Sequence, residues 1–308
     1  MLKRLRTAHP ILYCILSEVL FLGSMVVFSL LATIGLAAAG VDFDTMDGYL
    51  FGSVQEAVGL AVALLLLTRT GRLDLLRRRG CGFLNGLLVG MYPLFFIGYT
   101  VCGTLAFSRP DTPLLPLPRI LTFMLNMILV GVAEELVFRG ILCAEYEKQG
   151  ILYAAVVSSL FFALLHFDLT ALPVYLFAGF LLALVLYITR STLAAMVVHL
   201  GYNLFGVLAQ AGLSGYCRST GSVGLLVVIL IALLLLSSAF FCGEVARILR
   251  RRAESSLLDD PEQIATPGLS RLSGRAFLPA LGKAFLCPEA MLAVLLWAVS
   301  VVVNLVRK

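Results

Sequence analysis

Apolar runs long enough to cross a lipid bilayer recur along this 308-residue chain, at about 11–38, 48–68, 82–106, 118–142, 150–167, 170–189, 191–213, 222–242 and 288–306. A bilayer core about 30 Å thick takes about 20 helical residues to cross. Inside it, a spanning segment must satisfy its own backbone hydrogen bonds, and a continuous apolar run does so as a helix. The expected fold is all-α, a polytopic transmembrane helical bundle of about eight or nine spans. An apolar fraction of 60% with only 13% charged residues lies well outside the usage of soluble domains.

Arginine and lysine are sorted between alternate loops and not gathered on one surface, so the net charge of +5 reads as a topology signal and implies no nucleic-acid partner. With Lys3, Arg4 and Arg6 in the cytoplasm, Arg69, Arg72, Arg77–Arg79, Lys148, Arg190 and the segment from Arg247 to Lys283 also fall inside. Arg109, Arg119, Arg218, Arg307 and Lys308 fall outside, the last two only if 288–306 is a ninth span. The expected localisation is an integral, multi-pass membrane protein with a cytoplasmic N-terminus. The first apolar run is too long for a signal peptide and lacks an obvious cleavage site, so it is expected to be retained. Seven scattered cysteines, never spaced C-x-x-C, argue for neither a disulfide framework nor a zinc knuckle.

No internal repeat is visible. Residues 1–110 form N-terminal transmembrane helices without an assignable motif, 118–213 hold the informative polar residues, 222–242 is a further span, and 243–286 reads as a cytoplasmic linker before 288–306. The linker mixes charge, Pro, Gly and Ser, with a basic stretch at Arg247–Arg252 suited to anionic headgroups.

An ionisable side chain at mid-membrane costs about 2.5–3.5 kcal/mol on insertion scales, so each one needs a partner or a task. The candidates are Glu18, Glu56, Asn85, Asn126, His166, His199, Asn203 and the group Glu134, Glu135 and Arg139 in VGVAEELVFRG. Positions four apart share a helix face, which pairs Glu135 with Arg139 and leaves Glu134, rotated about 100°, without a local partner. A carboxylate so placed suits a general base. Phe162 and His166 (FALLH) and His199 and Asn203 (HLGYN) repeat the spacing, so three helices each carry a polar stripe. Converging, a carboxylate, two imidazoles and a carboxamide are the parts needed to deprotonate water and stabilise an oxyanion. Counted at 1.5 Å per residue from the inner ends, Glu134, His166 and His199 lie about 21, 24 and 13 Å up, a scatter that tilt must absorb. Glu18, Glu56, Asn85 and Asn126 lack such companions and read as packing or cavity residues, and His9 is juxtamembrane.

Other intramembrane chemistries fit less well. No H-E-x-x-H is present. The G-x-S-G at Gly212–Gly215 is the pattern that carries the rhomboid serine, but no histidine follows Ser214, and the stretch reads as an outer-loop turn. Two histidines and a glutamate are a catalytic zinc set that Glu134, His166 and His199 would supply. The same three also work without metal, so zinc stays open.

EELVFR (134–139), FALLH (162–166) and HLGYN (199–203) resemble the three motifs of the CPBP family. These are intramembrane proteases that include type II CAAX prenyl proteases and bacteriocin-processing or self-immunity (Abi) proteins. The resemblance covers about 118–213. It implies a helical bundle with a polar intramembrane cavity lined by the fourth, fifth and seventh spans. It also implies Glu134 as the base activating water, His166 assisting, His199 and Asn203 stabilising the oxyanion, and Glu135 with Arg139 shaping the site. The implied partners are the lipid bilayer and a peptide or protein substrate, whose prenylation the sequence leaves open. A non-catalytic immunity or scaffold protein binding a peptide in the same cavity is the alternative. A proton-coupled transporter using Glu56, Glu134 and the histidines is a further one.

Overall fold

A computed structural model describes residues 2–42, 46–76, 116–189, 191–220 and 274–306, with isolated positions at 87–93 and 224–246. Among the described residues the fold is helical, without strands. In chain order the helices are α1 (Leu2–Ala8), α2 (Pro10–Ala38), α3 (Gly48–Thr70), α4 (Leu117–Tyr146), α5 (Ile151–Leu165), α6 (Leu172–Thr189), α7 (Thr192–Thr220), α8 (Gly274–Phe285) and α9 (Pro288–Val306). Three of them, α2, α3 and α4, are long and apolar enough to cross a membrane, and α5, α6 and part of α7 are shorter apolar helices. Val26, Val27, Leu30, Leu31 and Ile34 stay exposed on α2, as expected of side chains facing lipid. The span expected at 82–106, Asn85 with it, lies almost wholly outside the described residues, and 222–242 is described at scattered helical positions.

Contacts between neighbouring helices fix their directions. Helices α2 and α3 form an antiparallel hairpin, with Gly59 against Phe21 and Met25 and the Tyr13 hydroxyl 3.5 Å from Thr70 Oγ1. Helices α3 and α4 run parallel. Asp47 meets Thr122, Tyr49 meets Phe123, Gly52 meets Asn126, and Leu67 meets Gly140, in rising order on both helices. A helix of this length rises about 35 Å, so the end of α3 and the start of α4 lie at opposite ends of the bundle. Gly90 packs so tightly on Val185 and Val198 that a Cβ there would clash with Val185 Cγ2.

One end of the bundle carries Arg6 and Arg72, which the charge pattern assigned to a single face, together with Glu145. The buried Glu145 carboxylate receives Arg6 Nε at 3.5 Å and Arg72 Nη2 at 4.0 Å, and Arg6 Nη1 donates to the Thr70 carbonyl at 3.2 Å. This ties α1, the end of α3 and the end of α4 together.

At the opposite end, Asp47 caps α3 by accepting from the Tyr49 and Leu50 amides, and it accepts from the Thr122 hydroxyl at 2.7 Å. The Thr122 bond, then the two amides and Arg119, hold its carboxyl below the usual carboxylate range. A depressed folded pKa gives stabilisation that is complete above the unfolded value and lost as pH falls through the folded one. Asp47→Ala should therefore lower the thermal midpoint in detergent at neutral pH, and the gap to wild type should close as pH drops below the ordinary carboxylate range. A gap independent of pH would contradict this.

Two expectations change. The Gly212–Gly215 stretch, read as an outer turn, lies inside α7, which continues to Thr220. Each helix-interior glycine costs only about 1 kcal/mol relative to alanine, too little to stop a 29-residue helix that contains no proline. Within 243–286, read as a linker, residues Gly274–Phe285 form α8. Its Phe277 packs edge-on against Tyr153, its Phe285 stacks on Phe161 at 5.6 Å, and Tyr153 donates to the Ala280 carbonyl. The signal was present as apolar residues at helical spacing (Phe277, Leu281, Phe285), masked by the polar sequence before them. Arg247–Arg252 lies outside the described residues.

Candidate active site

The first polar stripe sits where α4 changes its winding. From Leu136 to Cys143 the helix takes π-helical turns, which widen the ring to i→i+5 bonds and are frequent at functional sites. Glu134 and Glu135 are the last residues before that widening. As the spacing predicted, Arg139 Nη1 lies 3.1 Å from Glu135 Oε1, with both side chains fully buried. The arginine has two further anchors: Nη2 donates to the Gly179 carbonyl of α6 at 3.0 Å, and its guanidinium lies 4.6 Å over the Phe162 ring. Phe162 in turn meets Phe138 edge-on at 5.5 Å, and the Ser158 hydroxyl donates to the Phe138 carbonyl at 2.8 Å. Helices α4, α5 and α6 are thus joined around one cation.

Helix α7 enters through His199. Its Nδ1 lies 2.9 Å from Glu135 Oε1, a contact between residues 64 apart in sequence. A carboxylate only accepts, so Nδ1 carries the proton and Nε2 is the atom left to act. That Nε2 faces Glu134 Oε2 at 3.8 Å, beyond direct hydrogen-bond range and within reach of one bridging water. Glu134 Oε2 is buried without a hydrogen-bond partner among the described residues. Asn203, one turn further along α7, lies with His199 against Gly131 of α4: a Cβ on Gly131 would stand 3.7 Å from His199 Cγ and 3.9 Å from Asn203 Nδ2. Glu56 of α3 is close enough to repel Glu134 electrostatically, one turn below it by the register of the parallel pair.

His166 caps the end of α5. Its Nδ1 lies 2.9 Å from the Phe162 carbonyl, which fixes the same tautomer and leaves Nε2 free. Its ring meets Phe162 at 4.9 Å and stacks on Tyr175 of α6 at 3.7 Å and 17°. The chain leaves through Phe167 at φ 49, a left-handed conformation uncommon for a bulky residue. Asp168 Oδ1 then accepts from the Thr170 and Ala171 amides, turning the chain into α6.

The depth scatter from residue counting does not keep Glu134 and His199 apart, since their side chains approach to 3.8 Å. Glu134, Glu135, Arg139, Phe162 and His199 form one connected cluster. His166 joins it through Phe162, and Asn203 through Gly131 and His199. Sequence reasoning missed the Glu135–His199 contact, the Gly179 carbonyl and Tyr175. The first is long-range, the second is a backbone group, and the third sits in an apolar helix with no neighbouring charge.

Gly179 allows helices α5 and α6 to approach: a Cβ there would stand 3.0 Å from Ser159 Cα and 3.1 Å from Phe162 Cδ1. Gly179→Ala should push α6 outward, weaken the bond to Arg139 and cost about 1–3 kcal/mol as an overpacking change. Unfolding in detergent measures it, and wild-type stability would contradict it.

With both Nδ1 atoms engaged, the Nε2 atoms of His166 and His199 and the Glu134 carboxylate are the donors a metal would use; among the described residues no three His, Cys, Asp or Glu side chains are grouped so as to hold a metal ion.

Residues 116–205 match the family described as "Type II CAAX prenyl endopeptidase Rce1-like". Over 91 residues the chain is 33% identical to a Bacillus subtilis (strain 168) protein named "Putative membrane peptidase YdiL". That alignment covers 29% of this chain and 37% of the relative. No solved structure matches. The matched segment spans all three stripes, ending at 205, short of the 213 expected from sequence. Over this segment, under a third of the chain, the protein is similar to the Rce1-like type II CAAX prenyl endopeptidases.

Proposed function

We propose that the chain is an intramembrane endopeptidase that hydrolyses a peptide bond of a peptide or protein substrate carrying a prenyl group. The observation that carries this reading is the pair Glu134 Oε2 and His199 Nε2, 3.8 Å apart and buried, with His199 held from behind by Glu135. A water between them loses a proton to the Glu134 carboxylate, and the hydroxide attacks the carbonyl carbon of the scissile bond. His166 assists by accepting a hydrogen bond from that water at its free Nε2.

The negative charge that develops on the carbonyl oxygen is met by His199 and Asn203. Glu135, accepting from Nδ1, orients the His199 ring so that Nε2 faces the site and donates to the oxyanion when that nitrogen also carries a proton. The tetrahedral intermediate collapses by breaking the C–N bond, and the proton held by Glu134 passes to the leaving amine. The products are a new carboxyl terminus and a new amine terminus. A buried, water-poor site strengthens each of these electrostatic contacts.

Support for a prenylated substrate comes from the family match over 116–205. The apolar surroundings are compatible with a chain that inserts into lipid, since each buried methylene contributes about 0.8 kcal/mol. The test is a pair of peptides ending in the same C-a-a-X sequence, one prenylated at its cysteine and one not, offered to protein in lipid nanodiscs. The reading expects cleavage of the prenylated peptide and much slower cleavage of the plain one. Tight binding of either without cleavage would favour the non-catalytic immunity or scaffold alternative.

A further inference from the structure

We propose that Tyr175 of α6 is a positioning residue for His166, fixing the plane of the imidazole so that Nε2 points into the site. This deepens the peptidase reading and rests on it for its kinetic consequence. Helix α6 carries none of the three polar stripes, yet two residues one turn apart on it serve the cluster: the Gly179 carbonyl holds Arg139 at 3.0 Å, and the Tyr175 ring lies on His166 at 3.7 Å and 17°.

An imidazole has two ring degrees of freedom to lose. The Phe162 carbonyl, 2.9 Å from Nδ1, selects the tautomer only while the ring is held against it, and this one bond does not hold the ring in place. His166 stands at the end of α5, partly exposed, where no following helical turn confines it. Phe162 closes one side of the ring edge-on, and Tyr175 closes a face. Nε2 is the part of the ring left open. The left-handed turn at Phe167, pinned by Asp168, brings α6 back over α5 and delivers Tyr175 to that face.

Stacking is a property of the ring and not of the hydroxyl, so Tyr175→Phe should preserve the arrangement and Tyr175→Leu should release it. Tyr175→Leu is expected to lower kcat by about ten- to a hundredfold, the scale of a misplacement near 1 Å, with KM within about twofold. Tyr175→Phe should stay within about twofold in both. A second readout needs no substrate. The chain has three histidines, so 15N-imidazole labelling gives three pairs of ring nitrogen signals, assigned through single His→Gln variants. The expected spectrum shows His166 as one Nδ1-protonated tautomer in wild type and Tyr175→Phe, and as a mixture of tautomers in Tyr175→Leu, with His9 unmoved.

Unchanged His166 signals and kcat in Tyr175→Leu would overturn the proposal. So would equal losses in the Phe and Leu variants, which would make the hydroxyl the acting group. If wild type cleaves no peptide, the peptidase reading fails while the tautomer comparison still decides the role of Tyr175.

Discussion

Arg139→Met is expected to destabilise the protein by about 3–5 kcal/mol, the cost of removing one partner from a buried ion pair. The guanidinium has no exposed surface and holds three neighbours at once: Glu135 on α4, the Gly179 carbonyl on α6 and the Phe162 ring on α5. Methionine approximates its aliphatic stem but leaves Glu135 as a buried carboxylate without its guanidinium partner. The double change Glu135→Leu with Arg139→Met removes both charges. It should recover much of the lost stability, because well-packed apolar pairs replace buried ion pairs at little cost. It should nevertheless abolish activity, since His199 Nδ1 loses its acceptor. Unfolding in mixed detergent measures both, and a double variant as unstable as the single one would contradict the ion-pair account.

Glu134→Gln is expected to lower kcat by about a hundred- to ten-thousandfold, the usual contribution of a general base. Its stability should match or slightly exceed wild type. The glutamine has nearly the same shape but takes no proton from water. Oε2 of Glu134 is buried without a hydrogen-bond partner among the described residues, so no bond described there is lost when the charge is removed. KM should change little, because the base acts on water and touches the bound peptide only in the transition state. A rise in KM with unchanged kcat would instead mark Glu134 as a substrate-binding group.

Residue spacing made parts of this site legible. The Glu135–Arg139 pair is a local, i to i+4 relation, and so is the contact between His166 and the Phe162 carbonyl; both follow from helical geometry alone. The helices were equally readable, because apolar runs in a membrane chain admit few alternatives: 11–38, 118–142, 150–167 and 170–189 fall on α2, α4, α5 and α6 within a few residues.

Contacts that close the site across helices were not legible. Glu135 reaching His199, Gly179 offering its carbonyl to Arg139 and Tyr175 covering His166 depend on which helix faces lie together, and no periodicity within one helix encodes that. The π turns of Leu136–Cys143 leave no compositional trace either, although they shift every side chain after Glu135 around the helix axis. The α8 helix was hidden for a different reason. It is short, and its apolar face is diluted by the polar stretch before it.

The most direct measurement is cleavage of a peptide ending in a prenylated C-a-a-X sequence by the purified protein in nanodiscs, run in 18O-water and read by mass spectrometry. The account predicts that wild type produces a new carboxyl terminus carrying one 18O atom, and that Glu134→Gln, folded to the same degree, produces none above background. Product formed by Glu134→Gln at the wild-type rate would contradict it.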